Sequence, residues 1–88
     1  MQANKDLIRK MVVKLDALYA EKGPGTIWIS YNDEDLQFPG HDFKEILEHY
    51  RYMLEQGLMK EGSEVEISEN IRFTGLSSAG RDFLKSIS

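Results

Sequence analysis

The segment 41–59, HDFKEILEHYRYMLEQGLM, constrains the fold most, because its apolar residues recur at steps of three and four. This spacing gathers apolar side chains along one side of an α-helix. Asp42, followed three residues later by Glu45, predicts a capped helix start, and Gly57 suits the left-handed position that ends a helix. We therefore expect one amphipathic helix onto which the rest of the chain packs. Its predicted core-facing residues are Phe43, Ile46, Leu47, Tyr50, Met53, Leu54 and Leu58.

The opposite side of this helix is the candidate binding surface. At about 100° per residue, Tyr52 is predicted to point directly away from Phe43, with glutamates within about 60° of that direction. Lys44 and Arg51 are expected on one flank, nearer the boundary with the core. Folding does not explain an aromatic residue in that position, which favours a role in binding. The candidate partner-binding residues are Glu45, Glu48, Arg51, Tyr52, Glu55 and Gln56.

The two histidines are interpreted as structural residues. His49 is expected at the edge of the apolar stripe, hydrogen-bonded to a neighbouring loop, and His41 in the loop that enters the helix. They are eight residues apart, whereas two ligands on one helical face are usually four apart. We therefore predict no metal site.

The length and composition of the chain limit the class of protein. With 88 residues, the chain predicts one small domain, residues 1–88. The absence of cysteine excludes disulfides, thiolate zinc sites and a cysteine nucleophile. No apolar run is long enough to span a membrane, and the first ten residues lack the apolar core of a secretion signal. A cytoplasmic protein without cofactors is expected.

The charge of the chain is unevenly distributed. Residues 1–25 carry five basic groups and three acidic ones, and residues 71–88 carry three basic groups and one acidic one. Residues 26–70 carry three basic groups against eleven carboxylates, so the negative charge is concentrated there. Such segregation is informative about partners rather than about fold.

Before the central helix, a first helix is predicted over 5–22 with Asn4 as its cap. Its basic residues Arg9, Lys10 and Lys14 lie outside the apolar face and form a possible basic strip. The sequence Gly-Pro-Gly at 23–25 predicts a turn.

The segment 26–31, TIWISY, predicts a strand with Ile27, Ile29 and Tyr31 on its core face. Trp28 lies on the other face, where a neighbouring element is expected to cover it, although an interface anchor is the alternative. The segment 32–40 has room for one helical turn, with Asn32 as the expected cap.

The C-terminal third predicts a hairpin and a closing helix. Residues 59–68 form a strand, or a strand pair interrupted at Gly62, with Val65 and Ile67 facing inward, and residues 71–74 form the next strand. The hairpin tip lies either at 61–63 or at 68–70, and the sequence does not distinguish these positions. A helix over 78–87 follows, capped by Ser77, and Gly80 allows it a close approach.

Together these elements predict an α+β fold with three helices and a small three-stranded antiparallel sheet. The order is helix, strand, helix, hairpin, helix, which is the winged-helix arrangement. The hairpin corresponds to the wing, and the central helix takes the recognition position.

Three segments also resemble one known family: KDLIRKMVVKL, HYRYMLEQGLM and RFTGLSSAGRDFLKSI, at the start, centre and end of the chain. This is a family of small winged-helix-like domains of unknown function, found mainly in bacterial and phage or prophage proteins. The resemblance covers the first helix, the second half of the central helix and the C-terminal third, but not residues 23–41. It implies the fold and a mobile-element setting, and it transfers no catalytic residue.

Winged helices often bind DNA, but the charges here oppose it. Duplex binding depends on neutralising phosphates with lysine and arginine. The helix segment 42–56 carries four carboxylates against two basic groups, and the segment 61–70 has four glutamates and no basic residue. A DNA-binding transcriptional regulator stays an alternative, including contact through the basic strip with Arg72 and Arg81.

A non-enzymatic protein-interaction module fits these residues better, with Tyr52 as the anchor and the glutamates as a steering rim. The partner is another protein or a second copy of the chain. A further alternative is an inhibitor whose acidic surface imitates DNA and occupies a host DNA-binding protein. No phosphate-binding loop or nucleophile motif indicates an enzyme.

Overall fold

The computed structural model of the chain describes residues 2–87 and has a mixed α+β architecture. It contains a three-stranded antiparallel sheet and three α-helices, as predicted. Between the first strand and the second helix, residues Glu34–Leu36 form a single 3-10 turn. In chain order, the helices and strands are α1 (Lys5–Lys22), β1 (Ile27–Ile29), α2 (Phe43–Glu55), β2 (Glu64–Val65), β3 (Ile71–Phe73) and α3 (Ser78–Ile87).

The sheet has the strand order β1-β3-β2, so the last strand in sequence lies in the middle. Trp28 of β1 lies opposite Arg72 of β3, which in turn lies opposite Glu64 of β2. The neighbouring positions Ile71 and Phe73 face the other way and are fully buried. The period of two in a strand therefore gives the sheet one core face and one outer face.

One apolar core joins the helices to the sheet. Tyr50 of α2 lies at its centre, fully buried, and its hydroxyl donates a hydrogen bond of 2.8 Å to the carbonyl of Arg72. Around it pack apolar residues of the helices and the sheet, which form one contiguous core cluster. The largest of them are Leu7, Met11, Leu15, Ile46, Met53, Ile71, Phe73 and Leu76.

The helix ends follow from local chemistry, as expected. Asn4, Asp42 and Ser77 each cap a helix by accepting a hydrogen bond from a backbone amide three residues later. Gly57 has a φ of 71° and ends α2, and the amide of Leu58 then returns to the carbonyl of Met53.

Gly80 brings α3 against the segment that follows α2. A Cβ atom at Gly80 would lie 2.1 Å from the carbonyl oxygen of Leu58. No real side chain tolerates that distance, so only glycine allows this packing of α3.

Several local predictions are wrong. The 3-10 turn is capped by Asp33 rather than Asn32, since Asp33 has the extended backbone and its carboxylate accepts from Asp35. Of residues 59–68, predicted as a strand or as a strand pair interrupted at Gly62, only Glu64–Val65 form a strand, and Met59 makes an isolated bridge to Leu76. The hairpin tip lies after β2, at 66–70, which is the second of the two predicted positions. Ile67, expected inside, is fully exposed because it lies beyond the end of the paired strand.

Residues near the outer face of the sheet also differ from prediction. Trp28 was expected under a neighbouring element but is 60% exposed, because it lies on the outer face of the sheet. Tyr31 follows the end of β1 and is exposed, and its ring contacts that of Phe43 at a centroid distance of 5.6 Å.

Within residues 2–87, no helix is long and apolar enough to cross a membrane.

Candidate functional site

The outer face of α2 is rotated from its predicted position. The buried residues of α2 are centred near Met53 rather than near Phe43, because His49 belongs to the buried side. On a helical wheel this moves the outward direction by roughly 50°. As a result Lys44 and Arg51 are exposed on the outer face and do not lie at the core boundary as predicted.

His49 connects α2 to the start of α1. Its side chain is 2% exposed, its Nδ1 donates to the carbonyl of Glu45 at 2.8 Å, and its Nε2 accepts from the backbone amide of Asn4 at 2.9 Å. Both ring nitrogens are thus satisfied inside the protein. The predicted structural role of this histidine is confirmed.

Glu45 is occupied by a contact within the chain. Its Oε1 lies 2.7 Å from Nδ1 of His41, in the loop that enters α2. Its backbone amide donates to the capping carboxylate of Asp42 at 2.8 Å. The predicted partner residue Glu45 therefore belongs to the entrance of the helix, away from the open part of the surface.

Tyr52 does not point straight into solvent, contrary to prediction. It is half-buried and packs against the apolar core. The rotation of α2 explains this, since it turns Tyr52 toward α1 and α3. On that side the ring borders a groove of about 320 Å³, where Ala3, Ile8 and Phe83 form apolar walls. Folding thus stabilises this tyrosine in place and leaves part of its surface accessible.

The other side of Tyr52 borders the open surface of α2. Glu48, Arg51, Tyr52 and Glu55 line a shallow depression of about 480 Å³. Glu48 and Arg51 also line a second depression of about 330 Å³, which extends to Glu69 at the hairpin tip. The two depressions are therefore neighbours that share these two side chains. We call this surface the α2 face and define it by Lys44, Glu48, Arg51, Tyr52, Glu55 and Glu69.

The structure brings together four of the six predicted site residues and adds two others. Gln56 is exposed at the end of α2 but lines neither depression, and Glu45 is bonded to His41. Lys44 and Glu69 are the additions. Periodicity centred on a buried His49 would have identified Lys44, whereas Glu69 depends on the position of the hairpin tip.

The charges of the α2 face are open to a partner. Within residues 2–87, none of Lys44, Glu48, Arg51, Glu55 and Glu69 forms an ion pair. Glu48, Arg51 and Glu55 lie beside Tyr52, and Lys44 and Glu69 lie farther along the face, so the face is mixed in charge. This is less acidic than the predicted set, in which Arg51 was the one cation beside three glutamates.

The predicted basic strip is partly neutralised. Arg9 pairs with Asp6 at 3.1 Å, and Lys14 pairs with Asp35 at 3.3 Å, while Lys10 is exposed. These three residues line one apolar groove of about 430 Å³ together with the exposed Val13.

The two arginines that were considered with the strip lie elsewhere. Arg81 pairs with Asp16 at 3.0 Å, and Arg72 pairs with Glu64 across the sheet at 2.7 Å. Neither lines the groove of the basic strip, so these cations do not extend it.

Among residues 2–87, no three histidine or acidic side chains come together as a metal site would require. No family model, curated protein or solved structure matches this chain.

Proposed function

We propose that this chain is a winged-helix-like, non-enzymatic module that binds a protein partner through the α2 face. The order α1-β1-α2-β2-β3-α3 supports the fold, as does the pairing of β1 with β3 beside the β2–β3 hairpin. In a winged helix, α2 takes the recognition position and the hairpin is the wing. The second depression lies between these two elements and includes Glu69 of the wing.

The observation that carries the proposal is a half-buried tyrosine surrounded by unpaired charges of both signs. Tyr52 presents a rigid aromatic surface that is already ordered by the core, so binding costs little side-chain entropy. The surrounding lysine, arginine and glutamates steer a partner with complementary charges and fix its orientation. A tyrosine at the centre with charged groups at the rim is typical of protein interfaces.

The same charges disfavour duplex DNA. DNA binding gains most of its affinity when lysine and arginine neutralise phosphates. On the α2 face the two cations are offset by Glu48, Glu55 and Glu69. The wing segment 61–70 carries four glutamates and no basic residue, so it repels the backbone that a wing normally contacts.

Affinity capture from a host lysate tests the proposal. Wild-type chain and three variants, Tyr52→Ala, Glu48→Lys and the control Glu21→Lys, are compared as bait. Glu21 is an exposed glutamate of α1 outside the α2 face, so its reversal matches the charge change at Glu48. We expect a partner that wild type and Glu21→Lys retain and that Tyr52→Ala and Glu48→Lys lose.

Two results contradict the proposal. The first is equal capture of the same proteins by all four baits, which moves the interface elsewhere. The second is salt-sensitive binding of random duplex DNA in fluorescence anisotropy at low ionic strength, which restores DNA as the ligand. Circular dichroism of each variant confirms that lost capture does not come from lost folding.

A further inference from the structure

The outer face of the sheet carries an exposed tryptophan that folding does not use. Trp28 is the single tryptophan of the chain and lies in the middle of β1, 60% exposed. Tryptophan contributes a large apolar surface, and such residues are usually well covered in a folded domain. Trp28 does not line the α2 face, so the proposed function above does not account for it.

Trp28 is held at one end of its ring by a carboxylate. Its Nε1 donates a hydrogen bond of 3.3 Å to Oε2 of Glu66, which follows β2. This bond orients the indole while most of its surface stays in contact with solvent. The ring is therefore held in one orientation before a partner binds, which lowers the entropy cost of binding.

The face already holds one guanidinium group. Arg72 lies opposite Trp28 in the sheet, and its Nε donates to the carbonyl of Gly62 at 2.8 Å. Its two terminal nitrogens lie 2.7 Å from Oε1 of Glu64 and 3.8 Å from Oε2 of Glu66. Arg72 thus shows that Glu64 and Glu66 can pair with a guanidinium group.

The carboxylates outnumber that arginine. Glu64 and Glu66 share the single positive charge of Arg72, so one net negative charge remains beside Trp28. Hence the outer face combines an exposed aromatic ring with an excess of negative charge. A cation that stacks on tryptophan and also meets a carboxylate gains from both interactions.

We propose that the outer face of the sheet binds an arginine- or lysine-rich segment of a partner protein. A cationic side chain of that segment stacks on the indole of Trp28, and its neighbours pair with Glu66 and Glu64. Charge complementarity selects this occupant, because the hairpin repels phosphates and acidic surfaces. This is a second surface, distinct from the α2 face, and it does not depend on the function proposed for α2.

The lone tryptophan makes the experiment direct, because every change in indole fluorescence reports on this face. The intact chain is titrated with a synthetic Arg-Thr repeat peptide and with a Glu-Thr repeat of equal length. We expect a saturable change in emission with the arginine peptide only, and an affinity that falls as salt is added. Tyr52→Ala is expected to bind the peptide as wild type does, which separates this surface from the α2 face.

Two variants test the residues involved. Glu66→Gln keeps an acceptor for the indole and removes the charge, so peptide affinity should fall about threefold, a typical effect of one exposed ion pair. The control Glu21→Gln removes an exposed charge elsewhere and should change nothing. Trp28→Leu, followed by anisotropy of a labelled peptide, should weaken binding more than Glu66→Gln.

Several outcomes overturn the proposal. The first is the absence of a saturable emission change with the arginine peptide. The second is an equal response to the glutamate peptide. The third is equal peptide affinity for wild type, Glu66→Gln and Trp28→Leu. The same emission change with duplex DNA assigns the face to nucleic acid instead. A concentration-dependent emission shift without peptide, together with a dimer in light scattering, assigns it to a second copy.

Discussion

Replacing His49 with leucine tests the connection between α1 and α2. Leucine is close to histidine in volume but has no polar atom, so the packing is largely kept while both hydrogen bonds are lost. The backbone amide of Asn4 then lacks the acceptor that Nε2 provides at 2.9 Å. An inward-facing donor without a partner costs about 1–3 kcal/mol, and we expect a loss of about 2 kcal/mol in the free energy of unfolding.

That loss is large for a domain of this size. Stabilities of about 0.05–0.15 kcal/mol per residue give a chain of this length roughly 4–13 kcal/mol in total. For small domains each kcal/mol lowers the melting temperature by about 4–8 °C, so His49→Leu should lower it by about 8–16 °C. Urea and thermal unfolding followed by far-ultraviolet circular dichroism measure both quantities.

The other histidine provides the matched control. His41 contacts the carboxylate of Glu45 at the entrance of α2, and the side chains of this pair are 17% and 37% exposed. Because solvent screens such a pair, His41→Leu should cost no more than about 1 kcal/mol. Hydrogen exchange adds a local readout, since the amide of Asn4 should exchange faster in His49→Leu only. The reasoning is refuted if the two variants are equally stable, or if Asn4 exchange is unchanged.

Three further predictions concern stability. Gly80→Ala places a Cβ against the carbonyl of Leu58, so urea denaturation should show a loss of about 3 kcal/mol or more; a near-neutral result contradicts the close approach. Burial raises the pKa of the Tyr50 hydroxyl, so the folded chain holds that proton above the unfolded pKa of about 10. The free energy of unfolding, measured by urea denaturation at several pH values, should therefore fall as pH rises past that value, and a pH-independent stability argues against it. Asp42→Ala should cost about 1 kcal/mol and Asp42→Asn much less; equal losses would exclude capping as the cause.

The elements of the fold were predictable because their signals are local. Asn4, Asp42 and Ser77 cap their helices through amides only three residues away, and Gly57 ends α2 by its own backbone preference. Such contacts are contained in a short stretch of sequence. The bounds of α1 and α3 accordingly agree with the structure.

The orientation of α2 depends on distant contacts. A histidine counts as polar in a periodicity pattern, yet His49 is buried because Asn4, 45 residues earlier, satisfies its ring. Once His49 is placed inside, Lys44 moves to the outer face and Tyr52 turns toward α1 and α3. The sequence therefore indicated most of the residues that line the α2 face, but not the rotation of α2 about its own axis.

For a similar reason, the position of the hairpin tip and the exposure of Trp28 could not be predicted from short stretches of sequence. The turn at 61–63 lies at the hairpin base, where the Thr74 hydroxyl contacts Ser63 and the carbonyls of Lys60 and Glu61, and the tip at 66–70 follows from the contact of Val65 with Ile71 between β2 and β3. Both candidate tips look alike until that contact is known. The core face of β1 was predicted from Ile27 and Ile29, but the strand alone does not specify whether another element covers its outer face, where Trp28 is 60% exposed.

The short β2 strand has a consequence for behaviour at high concentration. The edge strand pairs over only two residues, of which Glu64 is acidic, and the acidic Glu66 follows directly. A longer, neutral edge would serve as a template for intermolecular strand addition, whereas a brief charged one offers few consecutive backbone groups and repels its own copies. The hairpin thus protects this side of the sheet against β-type aggregation, even though the outer edge of β2 has no strand partner within residues 2–87.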